Sequence, residues 1–369
     1  MSILYKNDEG WFISHEQFIT KLYNTISEQN NLDLFYKHFF HINQPFNRDN
    51  QNICNDDESN NCLLISKKRK RKKTFIEEDE LHCKIRLFIS KVKNETKIFS
   101  QISNKNDNNL CARLASNKFY NKTIKKKICF GENKNSTLYI SNQYIFPPLC
   151  KFYCDDIDNL NKLNNEKYDL ILMDPPWTNK YIKRKKKKIY DEGYSMILDT
   201  DLEKLPIGQI LAPDGLISVW CTNSQNHINS LINNFFPAWD VSYVATWYWI
   251  KVTVNGEYVC KFTQPPGKQP YERIIFGRKR NINSVIKNPE DNKFIVSIPS
   301  SVHSHKPPLT DVLSSFLPET PNCLELFARY LLPNWTSFGL ETLKFQHLFL
   351  YQQSILTDVQ CLQIKENLL

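Results

Sequence analysis

Apolar residues change their spacing along this chain of 369 residues. Past Leu138 they gather in short dense runs: Tyr168 to Asp174, Gly215 to Cys221, Tyr243 to Val252, Arg273 to Gly277, Phe294 to Ile298 and Cys323 to Phe327. Runs of that length, rich in β-branched and aromatic residues, predict strands buried on both faces. Helical spacing occupies the stretches between them, Asp201 to Leu211, Gln225 to Phe235 and Leu309 to Phe316. Strands and helices that alternate in this way predict a doubly wound α/β sheet. Before Leu138 the pattern is broadly helical, first from Trp11 to Phe46 (Phe18, Leu22, Ile26) and again between Glu77 and Asn121 (Leu81, Ile85, Leu87, Ile89). The polar, Asn-rich segment Asn47 to Asn61 reads as a disordered linker. The expected organisation is a helical, partly disordered N-terminal region (1–134), an α/β domain (135–350) and a C-terminal tail (351–369).

Composition narrows the class. A hydrophobic fraction of 41% suits one sizeable domain with a smaller appended region. The net charge of +9 is delivered partly as runs, Lys67 to Lys73 and Lys183 to Lys188, which suits a polyanionic partner. A general abundance of Lys would give the same total, so the position of the runs carries more weight. Lys67 to Lys73, directly after the linker, has the form of a nuclear-import signal or of a solvated nucleic-acid-binding arm. Met1 to Gly10 lacks an apolar core and no eighteen apolar residues run together, so neither a signal peptide nor a membrane span is expected. The 11 cysteines form no C-x-x-C pair, which fits reduced thiols in a cytosolic or nuclear protein. His303 and His305 alternate as strand neighbours do, but no thiol or carboxylate joins them at ligand spacing, and no metal site is expected.

The candidate chemistry stands at the end of one strand. Asp169 to Met173 runs directly into Asp174-Pro175-Pro176-Trp177. Ligands in open α/β sheets bind beyond the carboxyl ends of strands, so this turn belongs to the sheet's active edge. An Asp-Pro-Pro-Trp string has about one chance in a thousand of arising in a chain of this size from average usage, so it demands an explanation. Adenine N6 is an amine whose lone pair is delocalised into the ring until acceptors draw on its hydrogens. Asp174 supplies carboxylate oxygens, Pro175 and Pro176 supply carbonyls on a backbone of fixed φ without a competing donor, and Trp177 supplies a stacking face. A rigid turn beside a core tryptophan is the plain alternative.

In these residues the chain resembles the N6-adenine methyltransferases of the MT-A class, whose catalytic signature is Asp-Pro-Pro-Trp. The similarity continues in Ser304-His305-Lys306-Pro307-Pro308 and Glu325-Leu326-Phe327-Ala328-Arg329. One branch of the class is matched further in Asn179-Lys180, Lys183-Arg184, Tyr271-Glu272 and Leu343 to His347, and at the N-terminal side in Gly10-Trp11 and Lys84 to Arg86. The resemblance implies a Rossmann-like sheet, S-adenosylmethionine as cofactor, and a permuted order in which the catalytic motif precedes the cofactor motif. It implies that Asp156 and Ile157 meet the cofactor adenine, that His305 and Lys306 meet its methionine end beside Asp174, and that Arg329 and Glu341 lie at its ribose. Leu340 departs from the pattern, which has Asn there.

The loop after Trp177 is expected to hold nucleic acid through Asn179, Lys180, Lys183, Arg184, Lys185, Lys186, Lys187 and Lys188. Its basic run begins six positions after Trp177, which keeps it within about 20 Å of that ring. Phosphate contacts of this kind position a strand without reading its sequence. The resemblance points to RNA, specifically an internal 2′-O-methyladenosine of U2 small nuclear RNA, in the nucleus or also the cytoplasm; no membrane partner is expected and no obligate protein partner is inferred. DNA, or a catalytically silent nucleic-acid-binding scaffold, are the alternatives.

Overall fold

A computed structural model describes residues 2–23, 35–40, 42–46, 79–99, 109–122, 128–141, 143–177, 199–263, 267–279 and 286–351. The Asn-rich linker, the run Lys67 to Lys73, the loop from Asn179 to Lys188 and 352–369 of the expected tail lie outside the described residues.

Among the described residues one mixed sheet of eleven strands runs in the order β1-β2-β11-β9-β10-β8-β7-β12-β13-β6-β3. Its parallel centre is β7 (Tyr168–Met173), flanked by β8 (Leu211–Cys221) and β12 (Cys323–Leu326), then β13 (Trp335–Phe338) and β6 (Lys151–Cys154). From Leu170 to Met173 the strand is apolar without alternation because helices cover both faces, and Leu170, Ile171 and Met173 are fully buried. β10 (Tyr271–Lys279) runs antiparallel between β8 and β9 (Val241–Lys251). Beyond β9, β11 (Phe294–Ser297) is parallel again. The expected α/β sheet is present, and each predicted run contains a strand.

Helix α1 (His15–Leu22), the 3₁₀ segment Phe35–Phe40 and α3 (Asn109–Lys122) cover one face, where Ile19, Tyr36, Phe39, Ala115 and Phe119 meet Leu172 and Trp220. The other face carries the 3₁₀ segment Ile157–Leu163, the short helices α4 (Asp199–Glu203) and α5 (Ile207–Ile210), and α6 (Gln225–Ser230) with its π-helical continuation Leu231–Phe235. Helix α2 (Glu80–Glu95) packs Ile85, Phe88, Ile89 and Val92, spaced along one stripe, on Tyr248, Ile250 and Phe294. Asp79 caps it by accepting from the Leu81 N–H.

The N-terminal region differs from the helical expectation. β1 (Ile3–Asn7) and β2 (Gly10–Ile13) form a hairpin, and β2 pairs in parallel with β11, so residues on both sides of the boundary expected near 135 share one sheet. Trp11 and Ile13 face one core while Phe12 faces the other, a two-sided burial that a helix starting at Trp11 could not give. Gly10 permits the close approach, since a Cβ there would lie 2.0 Å from the Phe294 carbonyl oxygen. β3 (Cys129–Glu132) closes the opposite edge, and β4 (Tyr139–Ser141) and β5 (Tyr144–Phe146) form a separate hairpin.

Candidate active site

Parallel pairing brings the carboxyl ends of β6, β13, β12, β7, β8, β9 and β11 to one edge of the sheet, and antiparallel β10 begins there. Asp174 leaves β7 at this edge, Arg329 follows β12, Glu341 follows β13, Lys251 ends β9, Glu272 opens β10 and Lys306 lies on the loop after β11. Two of these turns are strained, with Ser304 at φ 58° ahead of Lys306 and Phe327 at φ 59° ahead of Arg329. Left-handed backbone at a non-glycine residue costs about 1–3 kcal/mol and concentrates where a side chain must be aimed.

The charges form one alternating chain. Arg329 Nη1 donates to Asp174 Oδ2 at 2.9 Å, and Lys306 Nζ stands 3.7 Å from Asp174 Oδ1. Lys306 also donates to Glu272, whose other oxygen accepts from Lys251. On the far side Arg329 Nε donates to Glu341 Oε2 at 3.0 Å, and Lys344 Nζ to Glu341 Oε1 at 3.0 Å. Burial alone would pull the Lys306 ammonium down, but Asp174 and Glu272 outweigh it and hold its pKa above the usual lysine value. Burial alone would raise Glu272, and the two lysines bring it well below the carboxylate range. Glu341 is likewise lowered against its burial by Lys344 and Arg329. Desolvation leaves Lys251 lowered despite Glu272.

The expected stacking face of Trp177 is not an open platform. The indole is 8% exposed, stacks on His227 with centroids 5.0 Å apart, and donates through Nε1 to the Trp220 carbonyl at 2.7 Å. The Trp177 backbone N–H donates to the Pro175 carbonyl at 2.8 Å, which folds the motif into a tight turn and occupies one lone pair of that oxygen. Pro175 is buried and Pro176 half-buried within that turn. Trp177 thus serves as the anchor of the turn, because an apolar ring at a strand end is more stable against core aromatics than in water.

His305 is corrected as a cofactor contact. It lies in a loop, not a strand, and is buried between His15 and Phe345, with ring centroids at 4.3 and 4.1 Å. Just past the left-handed Ser304, the His305 ring enters the aromatic core and Lys306 reaches the charges. Asp156 stands just past β6 at the same edge, its carboxylate accepting from the Asp158 N–H at 3.2 Å, and Ile157 packs beneath in the core. Half-buried Leu340 is followed by Glu341, whose carboxylate is held by the two cations. Asn179, Lys180, Lys183, Arg184 and Lys185 to Lys188 lie outside the described residues. Sequence reading missed Lys251, Glu272 and Glu325 as site residues. The available signal was a charge set within or at the end of an otherwise apolar strand, which must find a partner.

Residues 168–341 match the family described as MT-A70. The chain is 40% identical over 219 residues to the N(6)-adenine-specific methyltransferase METTL4 of Mus musculus, which covers 57% of this chain and 45% of that protein. It is 36% identical over 223 residues to the DNA N6-methyl methyltransferase of Caenorhabditis elegans, with 59% and 57% covered. It is also 36% identical over 182 residues to the N6-methyladenosine RNA methyltransferase MTA1 of Cryphonectria parasitica, with 48% and 53% covered. The chain spans about half the length of these curated relatives. The matched segment runs from the first residue of β7 to Glu341 and so contains Asp174, Glu272, Lys306 and Arg329, and over that segment the chain is similar to the MT-A70 family.

Proposed function

We propose that this protein transfers a methyl group from S-adenosylmethionine to N6 of adenine in RNA. The observation that carries the reading is the Asp174 carboxylate, held at the strand edge between Arg329 and Lys306. Each carboxylate oxygen has further lone pairs beyond those two contacts, so Asp174 retains capacity to accept from an amine. The residues fit the cofactor. The chain Lys251, Glu272, Lys306, Asp174, Arg329, Glu341 and Lys344 holds four cations against three carboxylates, leaving positive charge for a ligand that carries a carboxylate. Beneath it, Glu325 Oε2 and Tyr330 Oη are buried without a hydrogen-bond partner among the described residues, a polar floor rather than an apolar one.

Lys306 would hold the methionine end, with Arg329, Glu341 and Asp156 towards the nucleoside. When bound, S-adenosylmethionine supplies an electrophilic methyl on a sulfonium. Asp174 accepts a hydrogen bond from N6, localises its lone pair and fixes its direction, and positioning of this kind supplies much of the acceleration. Asp174 would hold N6 in line with the methyl group that the cofactor supplies, and Asp174 or water would take the proton that N6 sheds. The second lone pair of the Pro175 carbonyl supports the same amine, and Trp177 keeps the turn rigid. Asn179, Lys180, Lys183, Arg184 and Lys185 to Lys188 hold flanking phosphates.

The finer reading is a nuclear enzyme whose target is an internal 2′-O-methyladenosine of U2 small nuclear RNA. DNA is the second reading, favoured by the name of the Caenorhabditis elegans relative. Labelled S-adenosylmethionine is incubated with the protein and matched RNA and DNA oligonucleotides, with and without a 2′-O-methyl on the target adenosine. Transfer is expected to N6 of RNA, fastest on the 2′-O-methylated target. Faster transfer to DNA overturns the RNA reading, and transfer to neither overturns the activity.

A further inference from the structure

The apolar runs of β9 and β10 build the sheet, yet Lys251 and Glu272 place charge at its edge. Glu272 gives one oxygen to Lys251 and the other to Lys306. Both ammonium groups lie over the Trp249 ring, at 4.3 Å for Lys251 and 5.7 Å for Lys306, and Lys306 also lies 5.2 Å from the Trp220 ring centre. Glu272 facing Lys306 alone would form a neutral pair and cancel most of that lysine's attraction for an anion. A second lysine on the same carboxylate leaves the group of three with one net positive charge. We propose that Lys251 is a positioning residue that, through Glu272, sets the charge Lys306 presents to the carboxylate of an amino-acid-bearing nucleoside ligand.

The inference rests on the methyltransferase reading above, and the two can fail separately. The three-charge arrangement makes an unusual demand, because removing either partner of a structural ion pair should weaken the site, whereas here the two removals act in opposite directions. Lys251→Met leaves Glu272 wholly on Lys306 and takes the group from one net positive charge to none. Glu272→Gln releases Lys306 and raises the charge. Through a partly buried site a change of one unit charge acts over several ångströms.

The test is titration calorimetry of the full chain with two ligands. S-adenosylhomocysteine carries the amino-acid carboxylate, and 5′-methylthioadenosine is the same nucleoside without it. Lys251→Met is expected to weaken S-adenosylhomocysteine about tenfold, about 1.4 kcal/mol, and to leave 5′-methylthioadenosine unchanged. Glu272→Gln is expected to hold or strengthen S-adenosylhomocysteine, Lys251→Arg to match the wild type, and the double variant Lys251→Met/Glu272→Gln to recover most of the loss. Equal weakening of both ligands in both single variants, or wild-type affinity in Lys251→Met, overturns the proposal while leaving the methyltransferase reading intact. A wild-type protein that binds neither ligand overturns both.

Discussion

Asp174 and Glu325 are carboxyl groups on one face of neighbouring strands, and their surroundings treat them in opposite ways. The register of β7 and β12 pairs Leu172 with Glu325, so Asp174 stands one pleat repeat nearer the sheet edge. There it is held by Arg329 and Lys306 within a chain in which every charge meets its opposite. Glu325 is 5% exposed, its Oε2 has no hydrogen-bond partner among the described residues, and burial, reinforced by Asp174, pushes its pKa up to about 8. Ser218 and Ser337, in the same lateral row, have unpartnered hydroxyl oxygens as well. A few ångströms of depth therefore decide whether a carboxyl meets cationic partners or is stored as a neutral acid.

Removing Asp174 breaks the comparison at its functional end and should have the largest effect. Asp174→Ala leaves Arg329 paired with Glu341 and Lys306 paired with Glu272, so the fold should persist. Methyl transfer should fall about a thousandfold, about 4 kcal/mol of barrier, with the melting temperature near wild type. Residual activity within about tenfold of wild type would remove Asp174 from the chemistry.

Glu325 tests the opposite end. Its folded pKa of about 8 lies above the ordinary value of 4.5, so the folded state keeps a proton that the unfolded chain loses. Stability should then fall as pH rises from 4.5 towards 8, by about 4 kcal/mol in total. Glu325→Gln should melt higher than wild type at pH 8 and close to it at pH 4.5. Parallel pH profiles for the two proteins would show that Glu325 ionises freely.

The buried histidines give an effect of the opposite sign. Burial pushes His15 down to about 3 and holds His305 well below 6.5. Their neutral forms stabilise the fold above pH 6.5, and that contribution is lost as pH falls from 6.5 through the folded values, by up to about 1.4 kcal/mol per pH unit for each proton taken up. Thermal melts between pH 7 and 4 should show this acid loss, and His15→Phe should flatten it. The smallest change is expected at the end of the ion chain. Lys344→Ala leaves Glu341 paired with Arg329 and should cost about 1 kcal/mol or less by chemical denaturation.

Much of the site was legible in the chain itself, and the rest failed for identifiable reasons. The Asp174 to Trp177 turn was readable because it ends a recognisable apolar run, whereas Lys306 and Arg329 were reached only through the resemblance carried by Ser304 to Pro308 and Glu325 to Arg329. Trp177 and His305 were assigned to ligand because residue type cannot tell which way a ring points once the chain turns. The ring of Trp177 goes to His227 and that of His305 to Phe345, since both lower their energy in an aromatic core. The β1–β2 hairpin was read as helix because Trp11 to Phe46 carries mixed spacing, and only the open side of β11 decides that Gly10 to Ile13 must be a strand.

The sequence by itself determined the α/β class, the strand whose end carries Asp174, and the identity of the acid that stands there. Those are local properties, set by apolar periodicity and by the residues that terminate it. Only the tertiary structure decided that Lys251, Glu272, Lys306, Asp174, Arg329, Glu341 and Lys344, scattered along the chain between Asp174 and Lys344, form one chain of charge at the sheet's edge. Pairing between distant charges depends on strand order and register, which place strand ends side by side, and neither quantity is written in any local stretch of residues.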